Sequence, residues 1–212
     1  MYTLVPPQQS ARAKAYEMWI HAPMPMVTIL KTLDVSRLAR LARRHGMRFN
    51  MLMCFCIGRA AQQLENIWDL PTADGFRHYD SLCVNVIVAC DDGSINFCDI
   101  PFDDNLRHFA ADYERLTRQV KTSGQIYDLS ESTLSIGTSA LVDSQLDAVI
   151  NGHSGHWTNP FFAWGRYRHH WWQRRAALPV SLQFHHAQMD GRHAATILGN
   201  LQHTIDTLRI DK

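Results

Sequence analysis

The chain has almost no net charge: 21 basic against 20 acidic side chains leave +1 over 212 residues. Nucleic-acid and anionic-membrane partners are held by an excess of Lys and Arg, so the charge balance gives no reason to expect either. No uninterrupted apolar run approaches the ~20 residues that a bilayer-spanning helix needs. The opening Met1-Tyr2-Thr3-Leu4-Val5-Pro6-Pro7 lacks the basic start and long apolar stretch of a secretion signal. Cys-x-x-Cys pairs are missing too. The five cysteines (Cys54, Cys56, Cys83, Cys90, Cys98) are odd in number and lie in apolar runs, which predicts buried thiols in a reducing compartment and a cytoplasmic protein. There is neither a Gly-x-x-x-x-Gly-Lys-Ser/Thr loop nor a Gly-x-Gly-x-x-Gly turn, so nucleotide hydrolysis and nicotinamide chemistry have no motif to rest on. Zinc-type Cys/His spacings do not occur. The doublets His169-His170 and His185-His186 fall in strand-like sequence, where neighbours point to opposite faces and do not easily chelate one ion. No metal is expected.

What is present describes one globular domain over residues 1–212, with 46% hydrophobic and 19% charged side chains and no repeat or linker. Helices are predicted from Ser10 to Trp19 with Ser10 as N-cap, from Asp34 through Ala42 with Gly46 closing it, over Asn50–Leu64, Leu106–Val120 and Arg192–Arg209. The Asn50–Leu64 helix is apolar on nearly all sides and reads as the most buried. Strands are predicted over Met26–Leu33, Arg77–Ala89, Ser94–Ile100, Thr133–Ser139, Pro160–Tyr167 and Ala177–His185, with Asp91-Asp92-Gly93 as a hairpin turn. This order implies an α/β two-layer sandwich: a mixed, largely antiparallel sheet with helices on one face.

The sparsest pattern lies near the end, in Phe184-His185-His186-Ala187-Gln188-Met189-Asp190-Gly191-Arg192-His193. Leu178, Val180, Leu182 and Phe184 alternate on one strand face, and continuing that period places His186 in phase with them. After Asp190-Gly191 the period becomes helical, with Ala194, Ile197, Leu198, Leu201, Ile205 and Leu208 on one stripe. A histidine at such a junction has two readings. It is a core histidine satisfied by backbone and by Asp190, or a general base kept neutral by burial and suited to taking a hydroxyl proton. Spacing alone leaves both open.

Three other features have equally plain readings. Ser139, at a strand end in Gly137-Thr138-Ser139-Ala140-Leu141, reads by itself as a local hydrogen-bond partner. Arg12 reads as a solvated helix residue. The basic, aromatic Arg166–Arg175 segment could bind single-stranded nucleic acid, but with net charge near zero it reads better as a solvated hairpin tip whose tryptophans cover a neighbouring element.

The run Leu-Pro-Val-Ser-Leu-Gln-Phe-His-His-Ala-Gln-Met-Asp-Gly-Arg-His resembles the chloramphenicol acetyltransferase form of the His-His-x-x-x-Asp-Gly element of coenzyme A-dependent acyltransferases. The likeness covers nearly the whole chain. Arg12-Ala-Lys-Ala-Tyr16, with Glu17 and His21, resembles the family's Arg-x-x-x-Phe segment. Asp80-Ser81, Ser139-Ala140-Leu141 and Gly165-Arg166-Tyr167 fall on its Asp-Ser, Ser-Ala and Ala-Lys-Tyr. The element is shared with condensation domains, plant acyltransferases and lipoyl-linked acyltransferase cores, and 212 residues are too few for the two-domain types.

The resemblance implies that His186 is the general base and that the Ser139 hydroxyl donates to the oxyanion formed from acetyl-CoA. It implies that Asp190 and Arg12 form a structural ion pair supporting the His186 turn, that Tyr167 stacks on adenine, and that Arg48 lies near the phosphates. Trp19, Val27, Phe162 and Ala163 fall in the acceptor pocket. It further implies a homotrimer with active sites between subunits, acting on a small-molecule acceptor. The departures concern that pocket. Ala163 stands where the family has a threonine that helps solvate the oxyanion, Trp19 replaces a tyrosine, Pro25 and Val27 follow it, and Val142-Asp143 stand in place of Pro-Trp. The acyl-transfer core is therefore expected intact, with a changed acceptor specificity.

Overall fold

The computed structural model describes residues 1–152, 157–170 and 175–210. In chain order these form β1 (Tyr2–Val5), a 3-10 turn at Pro7–Gln9, α1 (Ala13–Trp19), β2 (Met26–Asp34), α2 (Ser36–His45) and α3 (Phe49–Ala61). A second 3-10 turn (Glu65–Trp68) leads to β3 (Asp69–Thr72), β4 (Gly75–Tyr79), β5 (Leu82–Ala89), β6 (Ile95–Pro101) and α4 (Leu106–Ser123). The chain continues with β7 (Leu134–Leu141), β8 (Phe161–Gly165), β9 (Arg168–His170), β10 (Arg175–His185) and α5 (Gly191–Thr207).

The large sheet has the order β2-β10-β8-β7-β5-β6, with β9 paired to one end of β10. Among the described strands the β8–β7 and β7–β5 pairs are parallel and the other pairs are antiparallel. This is the mixed α/β sandwich that the element order predicts. Alternation decides its two faces. Leu178, Val180, Leu182 and Phe184 of β10 are buried, and they join Leu134 and Ile136 of β7 and Val84, Val86 and Val88 of β5 in one core beneath the helices. α3 is apolar all round because it packs on α5, α2 and α4 as well as on the sheet. All five cysteines are free and buried. Burial pushes the Cys54 and Cys56 thiols up to about 12, so they are poor nucleophiles.

The opposite, helix-free face carries polar and aromatic side chains, among them Asn85, Asp99, Ser135, Ser139, Phe161 and Gln183. Part of it is covered by the chain after β7. The Val149 N–H donates to Ser181 Oγ at 2.9 Å, and Gln183 Nε2 donates to the Asn151 carbonyl at 2.7 Å. A second sheet, β1-β4-β3, holds α1 in place. Tyr16 packs on Phe76 and donates its hydroxyl to the Thr72 carbonyl at 2.6 Å.

Several boundaries differ from expectation. α1 begins at Ala13, because the Ser10 hydroxyl accepts from the Arg12 N–H and closes a local turn ahead of the helix. Asp34 belongs to β2 and its carboxylate accepts from the Ser36 N–H at 3.0 Å, with α2 starting at Ser36. The stretch Arg77–Ala89 is two strands, β4 and β5, in different sheets. The tip expected over Arg166–Arg175 lies in part outside the described residues, which include neither of its tryptophans, Trp171 and Trp172.

Gly165 ends β8 where a Cβ would come within 2.5 Å of the Ser144 carbonyl oxygen, a backbone atom that cannot swing aside. Gly165→Ala should therefore lose about 1–3 kcal/mol of stability by overpacking. Denaturant unfolding of the variant beside the wild type measures this.

Candidate active site

The turn between β10 and α5 is built by backbone groups that would otherwise be orphaned. β10 pairs with β2 as far as His185 opposite Met26, and the His186 N–H extends the ladder to the Pro25 carbonyl at 2.8 Å. The chain then reverses: Gln188 and Met189 N–H both donate to the His185 carbonyl at 3.0 and 3.1 Å. Asp190 caps α5, its carboxylate accepting from the N–H groups of Arg192 at 3.0 Å and His193 at 3.3 Å. Arg12 reaches this turn from the other end of the chain. Its guanidinium donates to the His186 carbonyl at 2.8 Å, the Ala187 carbonyl at 3.1 Å and Asp190 Oδ2 at 3.0 Å. Arg12 is thus a clamp across three points of one turn, where its sequence alone suggested a solvated helix residue.

The two histidines divide their surroundings differently from the simple alternation. His185 is the buried one, 2% exposed, and its Nδ1 accepts from the Ala187 N–H at 3.1 Å, so in the neutral ring Nε2 carries the proton. His186 is half-buried, because the strand period ends one residue before it. Its imidazole lies flat on the Trp19 indole, centroids 4.4 Å apart and planes 8° apart. Nδ1 is buried with no hydrogen-bond partner among the described residues, leaving Nε2 as the nitrogen available to a substrate. A proton on Nδ1 makes Nε2 a lone-pair acceptor, the form a general base requires.

Burial works against ionisation of Asp190, but the His193 N–H, the adjacent His193 imidazole, the Arg192 N–H and Arg12 outweigh it and hold the carboxyl below its ordinary value.

Ser139 is elsewhere. In the sheet it is level with Ala163, and Ala163 is level with Ser181. His186 lies five residues past Ser181 and two strands across from Ser139, which at ~3.3 Å per residue and ~4.8 Å per strand is well over 15 Å. The structure brings Arg12, Asp190, Trp19 and His186 together, and sets Ser139 beside Ala163 apart from them.

Of the remaining positions, Phe162 is fully buried on the helix side and Val27 packs on the same core. Their neighbours Phe161 and Met26 instead line a cavity of about 450 Å³ on the helix-free face, with Gly137, Ile87, Phe97 and Trp157. Ser139 is two residues from Gly137 along β7, on the same face. Tyr167 packs on Phe49 and, edge-on, on His169, at 4.9 and 5.0 Å between centroids. Arg48 is exposed and pairs with Glu114 at 3.1 Å. Asp99, also in the cavity lining, was not singled out from the sequence. The available signal was a carboxylate alternating onto the same face as Asn85 in two otherwise apolar strands. Among the described residues no cluster of metal-ligating side chains occurs, and no helix is long and apolar enough to cross a membrane.

A histidine held in a clamped turn at the end of a sheet strand is an arrangement suited to acyl transfer by general base catalysis. Residues 1–202 match the family model for chloramphenicol acetyltransferase, and the chain belongs to that family. It is 25% identical over 181 residues to chloramphenicol acetyltransferase 2 of Escherichia coli, covering 83% of this chain and 84% of that one. A solved chloramphenicol acetyltransferase superposes with a TM-score of 0.84 at 14% identity, over 97% of this chain and 100% of the other. A probable dihydrolipoamide acetyltransferase from Listeria monocytogenes shares the fold with a TM-score of 0.68 at 13% identity, over 96% and 94% of the two chains.

Because the Asp190 carboxyl is depressed when folded, its stabilisation is complete above its unfolded value near 3.8 and is lost as pH falls through the folded one. Asp190→Asn should cost about 2–4 kcal/mol near neutral pH. The gap in melting temperature to the wild type should close as pH falls below about 4, where the carboxyl is protonated. Thermal melts of the pair across that range measure it.

Proposed function

We propose that the protein is a cytoplasmic, acetyl-CoA-dependent O-acetyltransferase that works as a homotrimer, each active site being shared by two copies. The family relationship offers chloramphenicol as the first acceptor, and with it a role in antibiotic resistance. The alternative is the same chemistry on another small alcohol or amine. The observation that carries the shared site is the separation of Ser139 from His186. One oxyanion donor and one base serve a single reacting carbonyl only within a few ångströms of each other, so His186 of one copy must meet Ser139 of the next.

In this reading Nε2 of His186 takes the proton of the acceptor hydroxyl as its oxygen attacks the thioester carbonyl. Ser139 donates to the oxyanion of the tetrahedral intermediate. Collapse expels the coenzyme A thiolate, which recovers the proton from His186. Trp19 holds the imidazole plane, while Arg12 and Asp190 fix the turn without touching substrate. The departure of Ala163 from the family's threonine leaves Ser139 with less help at the oxyanion. The acceptor occupies the cavity on the helix-free face, with Phe161 and Met26 lining it rather than Phe162 and Val27. Coenzyme A fits beside Tyr167, whose ring already packs against Phe49, with Arg48 offering positive charge that Glu114 partly offsets.

A protein that only sequesters a ligand needs no base, which separates that reading from catalysis. Thiol release from acetyl-CoA should require an acceptor, fall by roughly 10²–10⁴ in His186→Ala and by roughly 10²–10³ in Ser139→Ala. The buried cysteines keep the protein's own thiols out of such an assay. Release stimulated by chloramphenicol identifies the drug as acceptor. Acetyl-CoA binding without stimulation points to another acceptor, and ligand binding with no thiol release under any acceptor contradicts the enzyme reading.

A further inference from the structure

The cavity on the helix-free face has a charge pattern that the acyl-transfer reading does not use. Its walls are largely apolar and aromatic, from Ile87, Phe97, Trp157 and Phe161. Its described lining also contains two carboxylates, Asp99 and Asp128, and no Lys, Arg or His. Asp99 is 1% exposed. Asn85 Nδ2 at 2.7 Å and Ser135 Oγ at 3.2 Å donate to Oδ1, and the Leu129 N–H donates to Oδ2 at 2.8 Å. These bonds orient the group and leave an acceptor position on Oδ2, but they bring no positive charge. Asp99 has no ion-pair partner among the described residues. Asp128 stands nearby at the exposed edge, its Oδ1 held by the Ser130 N–H at 2.8 Å.

A carboxylate taken out of water without a counter-charge is costly, and hydrogen bonds from neutral donors offset only part of that cost. A cation arriving in the cavity would supply what the protein leaves out, in surroundings where apolar walls strengthen the attraction. We infer that the acceptor is a small cationic amphiphile, an ammonium-bearing alcohol with an aromatic or alicyclic body. Its ammonium is received by Asp99 and Asp128 while its body lies against Phe97, Phe161 and Trp157. The inference rests on reading this cavity as the acceptor site. Chloramphenicol, which is neutral, is then a weaker ligand than a cation of similar size. The carboxylates act on which molecule binds and take no part in proton transfer.

Binding of two matched probes to the purified protein tests this, by calorimetry at low and high salt: phenylethanolamine, a cation, and phenylethylene glycol, its neutral counterpart. The cation should bind at least about tenfold tighter at low salt, with the gap narrowing as salt rises. Asp128→Asn should narrow the gap and Asp99→Asn should remove it, in variants that still bind acetyl-CoA. Equal affinity for the two probes in the wild type overturns the inference, as does a preference that survives Asp99→Asn in a variant melting like the wild type. If Asp99→Asn does not fold, the wild-type comparison and Asp128→Asn decide. Acetyl-CoA binding, measured on the same preparation, tests the acyltransferase reading separately: its absence sinks that reading, whereas its presence without cation preference sinks only this one.

Discussion

Strand spacing is the constraint on which the proposed shared site depends. A sheet cannot bring together two residues that its register holds five positions and two strands apart, because each position adds a fixed length along the strand. Ser139 and His186 are so separated by the ladders through Ala163 and Ser181. Neither bending a loop nor repacking a side chain closes that distance. On the proposed reading the fold presents two half-sites, with His186 at one end of β10 as base and the Ser139 hydroxyl on β7 near a cavity. A closed ring of identical copies is the economical way to join unlike surfaces of one chain, since every interface is then the same heterologous contact.

Each half-site is held by its own physics. At the base, Arg12 ties the first helix to the turn that carries His186, while Asp190 starts the helix behind it and accepts from the same guanidinium. The first and last helices are thereby fastened at the turn that carries His186. The indole of Trp19 sets the plane of the imidazole, and the small sheet in turn anchors α1 through Tyr16. Among the described residues no comparable clamp holds Ser139. It is positioned by the sheet itself, through its pairing with Ala163 of β8, two residues past the end of the β5–β7 ladder.

Much of this was legible in the sequence, and the misses have causes. The β5–β6 hairpin and the Gly46 helix end were read from turn and cap chemistry, because Gly93 and Gly46 adopt the positive φ that such positions require. The β10 to α5 junction was read from a change of period. β1 and β3 escaped because four residues are too few to show alternation, and β3 contains Pro71. The face of a strand is a matter of parity: Phe162 and Val27 face the helix-side core, whereas their neighbours Phe161 and Met26 line the cavity on the other face. His186 was expected to be buried because its period was extended one residue past the strand end. Asp99 was passed over because its partners Asn85, Leu129 and Ser135 come from separate stretches, and only strand pairing brings them to one point.

The helices and the helix-free face also divide the work. One face supplies the core that makes the chain fold, and the other, which no helix covers among the described residues, is the one the proposal assigns to binding. The most direct test of a site shared between copies is to co-refold His186→Ala with Ser139→Ala and assay thiol release from acetyl-CoA with an established acceptor. Random mixing in a ring of three leaves about a quarter of the sites with both groups intact. Recovery of about a quarter of wild-type activity from two impaired parents is the predicted result. Activity no higher than the average of the two parents, in particles shown to be mixed, would contradict it.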